Sequence, residues 1–406
     1  MFKMYKKIGV TMIMLLGVFG LTACVESSID EYKAIILSEL QAYADSKGRD
    51  NYSEDGWEEV CNVVAVGKKA VEDAATKPQV DDVVTITKEN IDKVESTKEL
   101  ILSMDGAEEY TVGNGTEAYP YVINTSGQLI HFSNQINKGE DNSAFFALGS
   151  DINLGGIEWM PIGILYYKCF NGVFDGRGYE VSNFFITHRL DNSSAENVGL
   201  FGRNTGTIRN VGITNFDIDI TWVYNFGFVL SVYSGGLVGS NEGDIENSYS
   251  IGNINLVYYG GATITTPANI RAGGLVGYNT GKLLNCYSTV DVNAIYSNEA
   301  GTVHAAGLAV GGTVQNCFVT GNVNAEYSSF RSGESKVFSI GGNWFNSYAY
   351  EGQIIEAFIQ SPCSANDLNN ADFYTLELNW DADKWDLENL DFSNGKYANN
   401  KHPRLK

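Results

Sequence analysis

Val198-Gly199-Leu200-Phe201-Gly202-Arg203-Asn204-Thr205-Gly206-Thr207-Ile208-Arg209-Asn210 has a near copy in Gly235-Gly236-Leu237-Val238-Gly239-Ser240-Asn241-Glu242-Gly243-Asp244-Ile245-Glu246-Asn247. A third copy is Gly273-Gly274-Leu275-Val276-Gly277-Tyr278-Asn279-Thr280-Gly281-Lys282-Leu283-Leu284-Asn285, and a shortened fourth runs from Ala306 to Asn316. Their leucines, Leu200, Leu237, Leu275 and Leu308, lie 37, 38 and 33 residues apart. A fixed period of this size belongs to solenoids and propellers, in which each repeat buries its apolar face only against its neighbours.

Each copy holds short β-like pieces broken by glycine and asparagine, the residues that supply left-handed backbone at tight corners. Read with a period of two, Ile245/Asn247/Tyr249, Leu283/Asn285/Tyr287 and Val314/Asn316/Phe318 share one inward strand face. The asparagines would then stack from coil to coil as an internal amide ladder. In a further strand Ile254/Leu256, Val292/Ala294 and Val323/Ala325 point inward, while Asn253/Asn255, Asp291/Asn293 and Asn322/Asn324 point outward. Three strands per turn predict a mainly β protein built as a parallel β-helix; a propeller needs four strands per blade, for which the shortest copy has little room. The Gly-Gly-Leu-Val-Gly…Asn-x-Gly-x-Ile-x-Asn pattern resembles the GLUG motif of bacterial surface proteins. Phe145–Leu154, Trp159-Met160-Pro161-Ile162-Gly163 and Phe170–Gly178 resemble the coils that precede that motif. The resemblance covers roughly residues 110–406; it implies a right-handed helix and a surface location, and no particular chemistry. The β-helix is expected over 106–365. The aromatic-rich residues 366–406, with Phe373, Tyr374, Trp380, Trp385 and Phe392, are expected to cap its end.

Charge density separates what comes before. Residues 24–105 hold 28 charged side chains in 82 positions, against 45 in the following 301, so the domain boundary is placed near Gly106. Three helices fit the first part. Ser28 to Glu31 has capping-box spacing, with Tyr32, Ile35, Ile36, Leu40 and Tyr43 following at helical intervals. Ser53 can cap the second helix, with Tyr52 and Trp57 as a hydrophobic staple and Val60, Val64 and Val71 as its stripe. The third starts at Thr76-Lys77-Pro78-Gln79 and turns Val80, Val83, Ile91 and Val94 inward. Residues 52–99 resemble the small helical modules of Gram-positive surface proteins (the FIVAR type), and the preferred reading is a spacer.

Residues 1–23 read as a secretory signal: a basic start, an uncharged apolar run from Ile8 to Gly20, and small residues before a cut. Leu21-Thr22-Ala23-Cys24 resembles the bacterial lipobox, which implies lipidation of Cys24 and attachment to a membrane through acyl chains. Without the leader the net charge moves from −22 to −25, and such acidity argues against nucleic acid as a partner.

No catalytic residue, cofactor site or metal site is expected. His131, His188, His304 and His402 are isolated, and there is no His-Glu-x-x-His or Gly-x-Ser-x-Gly. Asp217/Asp219 and Asp381/Asp383 have the spacing of solvated acids on one strand face. Tyr258, Tyr296 and Tyr327, with Trp222 nearby, repeat at one register; their parity with Ile254 favours an internal stack over an external sugar platform. Segments 223–234, 260–272, 297–305 and 328–339 interrupt each copy at one register and are expected to project from one side. Cys286 and Cys317 fall on adjacent strands, on the outward face, and form a candidate disulfide. The expectation is a lipid-anchored surface protein displaying a β-helix for adhesion or for binding a glycan or extracellular protein. Its rivals are a polysaccharide lyase or hydrolase and a purely structural spacer.

Overall fold

The computed structural model describes residues 28–47, 52, 54–94, 104–164, 168–187, 195–224, 231–260, 268–297, 301–327, 333–355, 359, 361–398 and 401–406. Cys24 and its leader lie outside them, as do His188 and the tips of the interrupting segments. The chain divides into two compact units, 1–98 and 99–406.

The first unit contains three helices, α1 (Ile29–Lys47), α2 (Glu54–Asp73) and α3 (Lys77–Lys93). Thr76 caps α3 by accepting a hydrogen bond from the Gln79 amide, and Gln79 Oε1 accepts one from the Ala75 amide, 2.9 Å away. Leu40, Val60, Val64, Val71, Val80 and Ile91 form the core, and Tyr52 packs on Trp57 with ring centroids 5.8 Å apart. Ile35, expected inside, is exposed: it neighbours the buried Ile36 on a helix whose inward stripe is narrow.

In the second unit one coil runs through Asp244–Glu246, Tyr249–Gly260, Ala268–Gly273 and Val276–Asn279 before the next begins at Lys282. Strands of successive coils pair in parallel and in register, so that Asp244 meets Lys282 and Val238 meets Val276. This is a parallel β-helix, with four sheets rather than three strands per turn. Sheet I has eight strands, from Tyr121–Ile123 to Asn343–Phe345, and sheet II has ten, including Tyr249–Gly260. Sheet III has five, including Ala268–Gly273, and sheet IV four, including Val276–Asn279. The extra sheet comes from the segments expected to project: most of their described residues extend the long strands of sheet II or return as sheet III.

The asparagine ladder is present, but its members turn a corner. Asn210, Asn247, Asn285, Asn316 and Asn346 all have positive φ, between 44° and 56°, directly after the sheet I strands. Each donates its side-chain amide to the preceding member at 3.0–3.1 Å, down to Asn210, which donates to Asp175. A second ladder, Asn204–Asn241–Asn279, is fully enclosed, with amide contacts of 2.7 and 2.8 Å. Each of its side chains also bonds the turn two residues on; the glycine there is obligatory, because a Cβ at Gly243 would lie 1.9 Å from the Gly206 carbonyl oxygen. In the shortened copy Gly311 and Gly312, at φ 94° and 71°, make that corner without an asparagine.

The left-handed corner also redirects the residue that follows it. A period-two reading through Asn285 sends Cys286 outward; after the corner it points inward and is fully buried, like Cys317. The expected bridge is not formed. Both thiols are free, with the Cys286 amide donating to Cys317 Sγ at 3.3 Å and each thiol turned to a backbone carbonyl.

An unexpected helix, α4 (Ser126–Lys138), accompanies the first coils. Thr125 caps it, Gly139 at φ 86° ends it, and Leu129, Phe132 and Ile136 are buried. Phe132 packs on Phe146 and Phe174 with centroids 4.2 and 5.7 Å away, joining the helix to the apolar interior of the coils. Residues 366–406 were expected at the far end, yet they lie along the flank. Leu368, Phe373, Tyr374, Trp380, Trp385 and Phe392 bury a column of rings, Tyr249, Tyr287 and Phe318, supplied by three successive coils. Those rings stack 4.8 and 4.7 Å apart, and Trp380 Nε1 donates to the Asn316 carbonyl at 2.7 Å. We refer to this segment as the strap.

Candidate ligand-binding groove

Sheet II carries an irregularity that opens a groove. Asn183 and Asn215 have φ of 64° and 50°, each bulging its strand. Their side chains form a short chain on the outer surface, Asn183 donating to Asn153 at 3.0 Å and Asn215 to Asn183 at 3.3 Å. The next strand has no such residue. Its register shifts between Ile251 and Gly252, and Asn215 is left without a strand partner. Gly252 closes the step, since a Cβ there would sit 2.5 Å from the Phe216 carbonyl oxygen.

The strap supplies the opposite wall. Phe392–Ser393 and Lys396–Tyr397 pair through an Asn394-Gly395 turn, both residues left-handed as a tight hairpin requires. Lys396 pairs with Asp291 at 3.1 Å, and Tyr397 shares a hydrogen bond with Tyr374 at 2.6 Å. His402 Nδ1 lies 2.8 Å from the Tyr287 hydroxyl; burial holds the His402 pKa below the usual imidazole value, so the ring is neutral at neutral pH. The enclosed space is about 590 Å³.

Its lining is mostly amide and hydroxyl: Asn153, Asn183, Asn215, Asn253, Thr214 and Thr289, over a patch of Phe216 and Ile251. Such groups both donate and accept, as sugar hydroxyls require. Glu180 is the sole carboxylate among the lining residues. It accepts hydrogen bonds from Tyr249 at 2.6 Å and Thr214 at 3.2 Å and faces Arg404 at 3.5 Å. Burial, followed by the Glu180 charge, pushes the Tyr249 hydroxyl well above its ordinary pKa. Glycoside hydrolysis by either common route needs two carboxylates flanking the bond.

Of the residues singled out from the sequence, His402 and Asn253 line the groove, while the tyrosine stack and the acid pairs lie elsewhere. Tyr258 and Tyr296 are buried and stacked 4.9 Å apart, with Tyr327 next at 5.7 Å, so the internal stack holds. Asp219 is on the outer face and accepts from Asn255 at 2.7 Å, beginning a third ladder through Asn293 and Asn324. Asp381 accepts from the Asp383 amide within a turn. Among the described residues no cluster of three metal-ligating side chains occurs, and no helix is long and apolar enough to cross a membrane. The groove had one sequence signal, the recurrence of Asn-Phe at 183–184 and 215–216. The strap side of it had none.

Residues 231–255 and 268–293 match the family described as the GLUG motif. Each matched segment starts in sheet III and passes through sheets IV and I into sheet II, so one GLUG repeat corresponds to one coil. The chain is similar to a Gly-rich membrane protein of Evansella cellulosilytica, 33% identical over 141 residues, which are 33% of this chain and 15% of that protein. It is also similar to halomucin of Haloquadratum walsbyi, 29% identical over 120 residues, 26% of this chain and 1% of halomucin. The chain therefore spans a small fraction of the length of these curated relatives. No solved structure matches it.

Proposed function

We propose that this is a lipid-anchored bacterial surface protein that displays a GLUG-repeat β-helix beyond a FIVAR-like helical spacer and binds a glycan without cleaving it. The groove carries this reading: it gathers amides and hydroxyls from five successive coils and the strap, and its one carboxylate is already committed to Tyr249, Thr214 and Arg404. The Leu21-Thr22-Ala23-Cys24 sequence supports the anchor, and the name of the Gly-rich membrane relative agrees with a place at a membrane.

A glycan array probed with the chain beginning at residue 24 should show binding to neutral oligosaccharides. Asn183→Gly with Asn215→Gly removes two amides while keeping a residue that accepts left-handed φ, and should abolish that binding with the fold retained. Release of shorter sugars from any bound polysaccharide would replace this reading with an enzyme. For the anchor, Cys24→Ala should move the protein from the membrane fraction to the medium.

A further inference from the structure

Sheet III presents a different chemistry from the groove. Its outward row joins successive coils in the order Tyr233, Arg271, His304 and Lys336, each the direct cross-strand partner of the next. Parallel neighbours lie about 4.8 Å apart, so three basic side chains stand in file on a chain of net charge −22. The row beside it, Ser231, Asn269 and Thr302, is polar and tied together: Asn269 donates to Ser231 at 3.4 Å and accepts from Thr302 at 2.6 Å.

Arg271 in this row is held but not neutralised. The Arg271 guanidinium lies 3.9 Å from the centre of the Tyr278 ring and 5.4 Å from that of Tyr233, which fixes its plane without supplying an anion. Arg271 Nε and His304 Nε2 are shielded from solvent and have no hydrogen-bond partner among the described residues. Glu334 pairs with Lys336 at 2.8 Å, at the end of the row. Arg271 carries its charge without an ion-pair partner among the described residues, which prepares the row for an external anion.

From this geometry we propose that the outer face of sheet III binds an acidic polysaccharide, its carboxylates along Arg271, His304 and Lys336 and its hydroxyls along Ser231, Asn269 and Thr302. The paired polar row favours a sugar polymer over an acidic protein. The site is separate from the groove and does not depend on it.

Protonation of His304 should tune the affinity. Arg271 faces it from one neighbouring strand, and Lys336 and Glu334 from the other, where the Phe338 ring also meets it edge-on at 6.2 Å. Burial first, then Arg271 and Lys336, hold its pKa below the ordinary imidazole value, so the ring is uncharged at neutral pH and gains charge as pH falls.

The test uses the whole chain from residue 24, with polygalacturonate, its fully methyl-esterified form, a neutral glucan and polyglutamate as probes. Polygalacturonate should bind, with affinity falling as salt is raised and rising as pH falls below the ordinary imidazole value. Arg271→Gln and Lys336→Gln should each weaken it about tenfold, and His304→Gln should remove the pH dependence. Lys336 is exposed, so its replacement tests the site without threatening the fold. In the Asn183→Gly, Asn215→Gly protein, equal binding of the esterified polymer or the glucan, or indifference to Lys336→Gln, would overturn the proposal. Equal binding of polyglutamate would overturn it in favour of an acidic protein partner. Retention of polygalacturonate binding by the Asn183→Gly, Asn215→Gly protein separates this site from the groove.

Discussion

The helical module and the β-helix satisfy their polar groups in opposite ways. In the module the backbone bonds itself within each helix, and the side-chain links between helices, such as Tyr43 to Asp92 at 2.7 Å and Lys47 to Asp92 at 2.5 Å, lie at the surface. In the β-helix every coil bonds the next, and polar side chains join in: Asn204, Asn241 and Asn279 are enclosed and hydrogen-bonded to one another. A defect in the module should therefore stay local and depend on packing. A defect in the β-helix should leave a polar group unsatisfied in the coils on either side.

The largest effect that tests this contrast belongs to the strap. Trp385 is fully buried against Tyr249, Tyr287 and Trp380, so Trp385→Ala should cost about 3–5 kcal/mol in urea unfolding of the β-helix. An unchanged midpoint would mean that the strap is not part of the solenoid's cooperative unit. Leu40→Ala should cost about 2–5 kcal/mol in the module alone. Two separate thermal transitions, only the lower-stability one moved by Leu40→Ala, would sharpen the comparison; a common shift would break it.

Asn241→Ala should cost about 1–3 kcal/mol because it removes the acceptor of the Asn204 amide and the donor to Asn279 Oδ1 inside an enclosed ladder. Hydrogen exchange should then rise in both neighbouring coils rather than at residue 241 alone. A smaller change comes from acid. The His402 pKa is lowered in the folded chain, mainly by burial, so the folded state binds fewer protons than the unfolded one. Its contribution is complete above the ordinary imidazole value and is lost as pH falls through the lowered one. Emission from Trp380 and Trp385 should report the strap loosening there, and His402→Gln should remove that step. Smallest of all, Asp92→Asn at the module surface should cost about 0–1 kcal/mol, less at high salt.

Particular residues show how much could be read in advance. The spacing of Leu200, Leu237, Leu275 and Leu308 announced a solenoid because stacked coils must repeat whatever fills their interior. The inward stack of Tyr258, Tyr296 and Tyr327 followed from parity within an unbroken strand. Parity failed at Asn285, where a left-handed corner resets the alternation and carries Cys286 inside. Burial pushes the Cys286 thiol well above its ordinary pKa, and Cys317 is closed off from solvent, so both should resist alkylation until the chain unfolds, while the exposed Cys61 reacts at once. The helix α4 was legible in Thr125, Gln128, Leu129, Phe132 and Ile136, a cap followed by helical spacing, but was hidden by the β pattern around it.

The sequence alone determined the coil, since period, corner glycines and stacked asparagines are properties of one repeat and its neighbour. It also set the acidic charge and the resemblance of residues 1–24 to a lipoprotein leader. Only the tertiary structure decided that residues 366–406 run back along the flank, that a bulge ending at Gly252 leaves a groove beside them, and that Arg271, His304 and Lys336 stand in file. The physical reason is distance along the chain. Tyr287 meets Pro403 across 116 residues, and no local pattern encodes which buried ring a remote segment will cover.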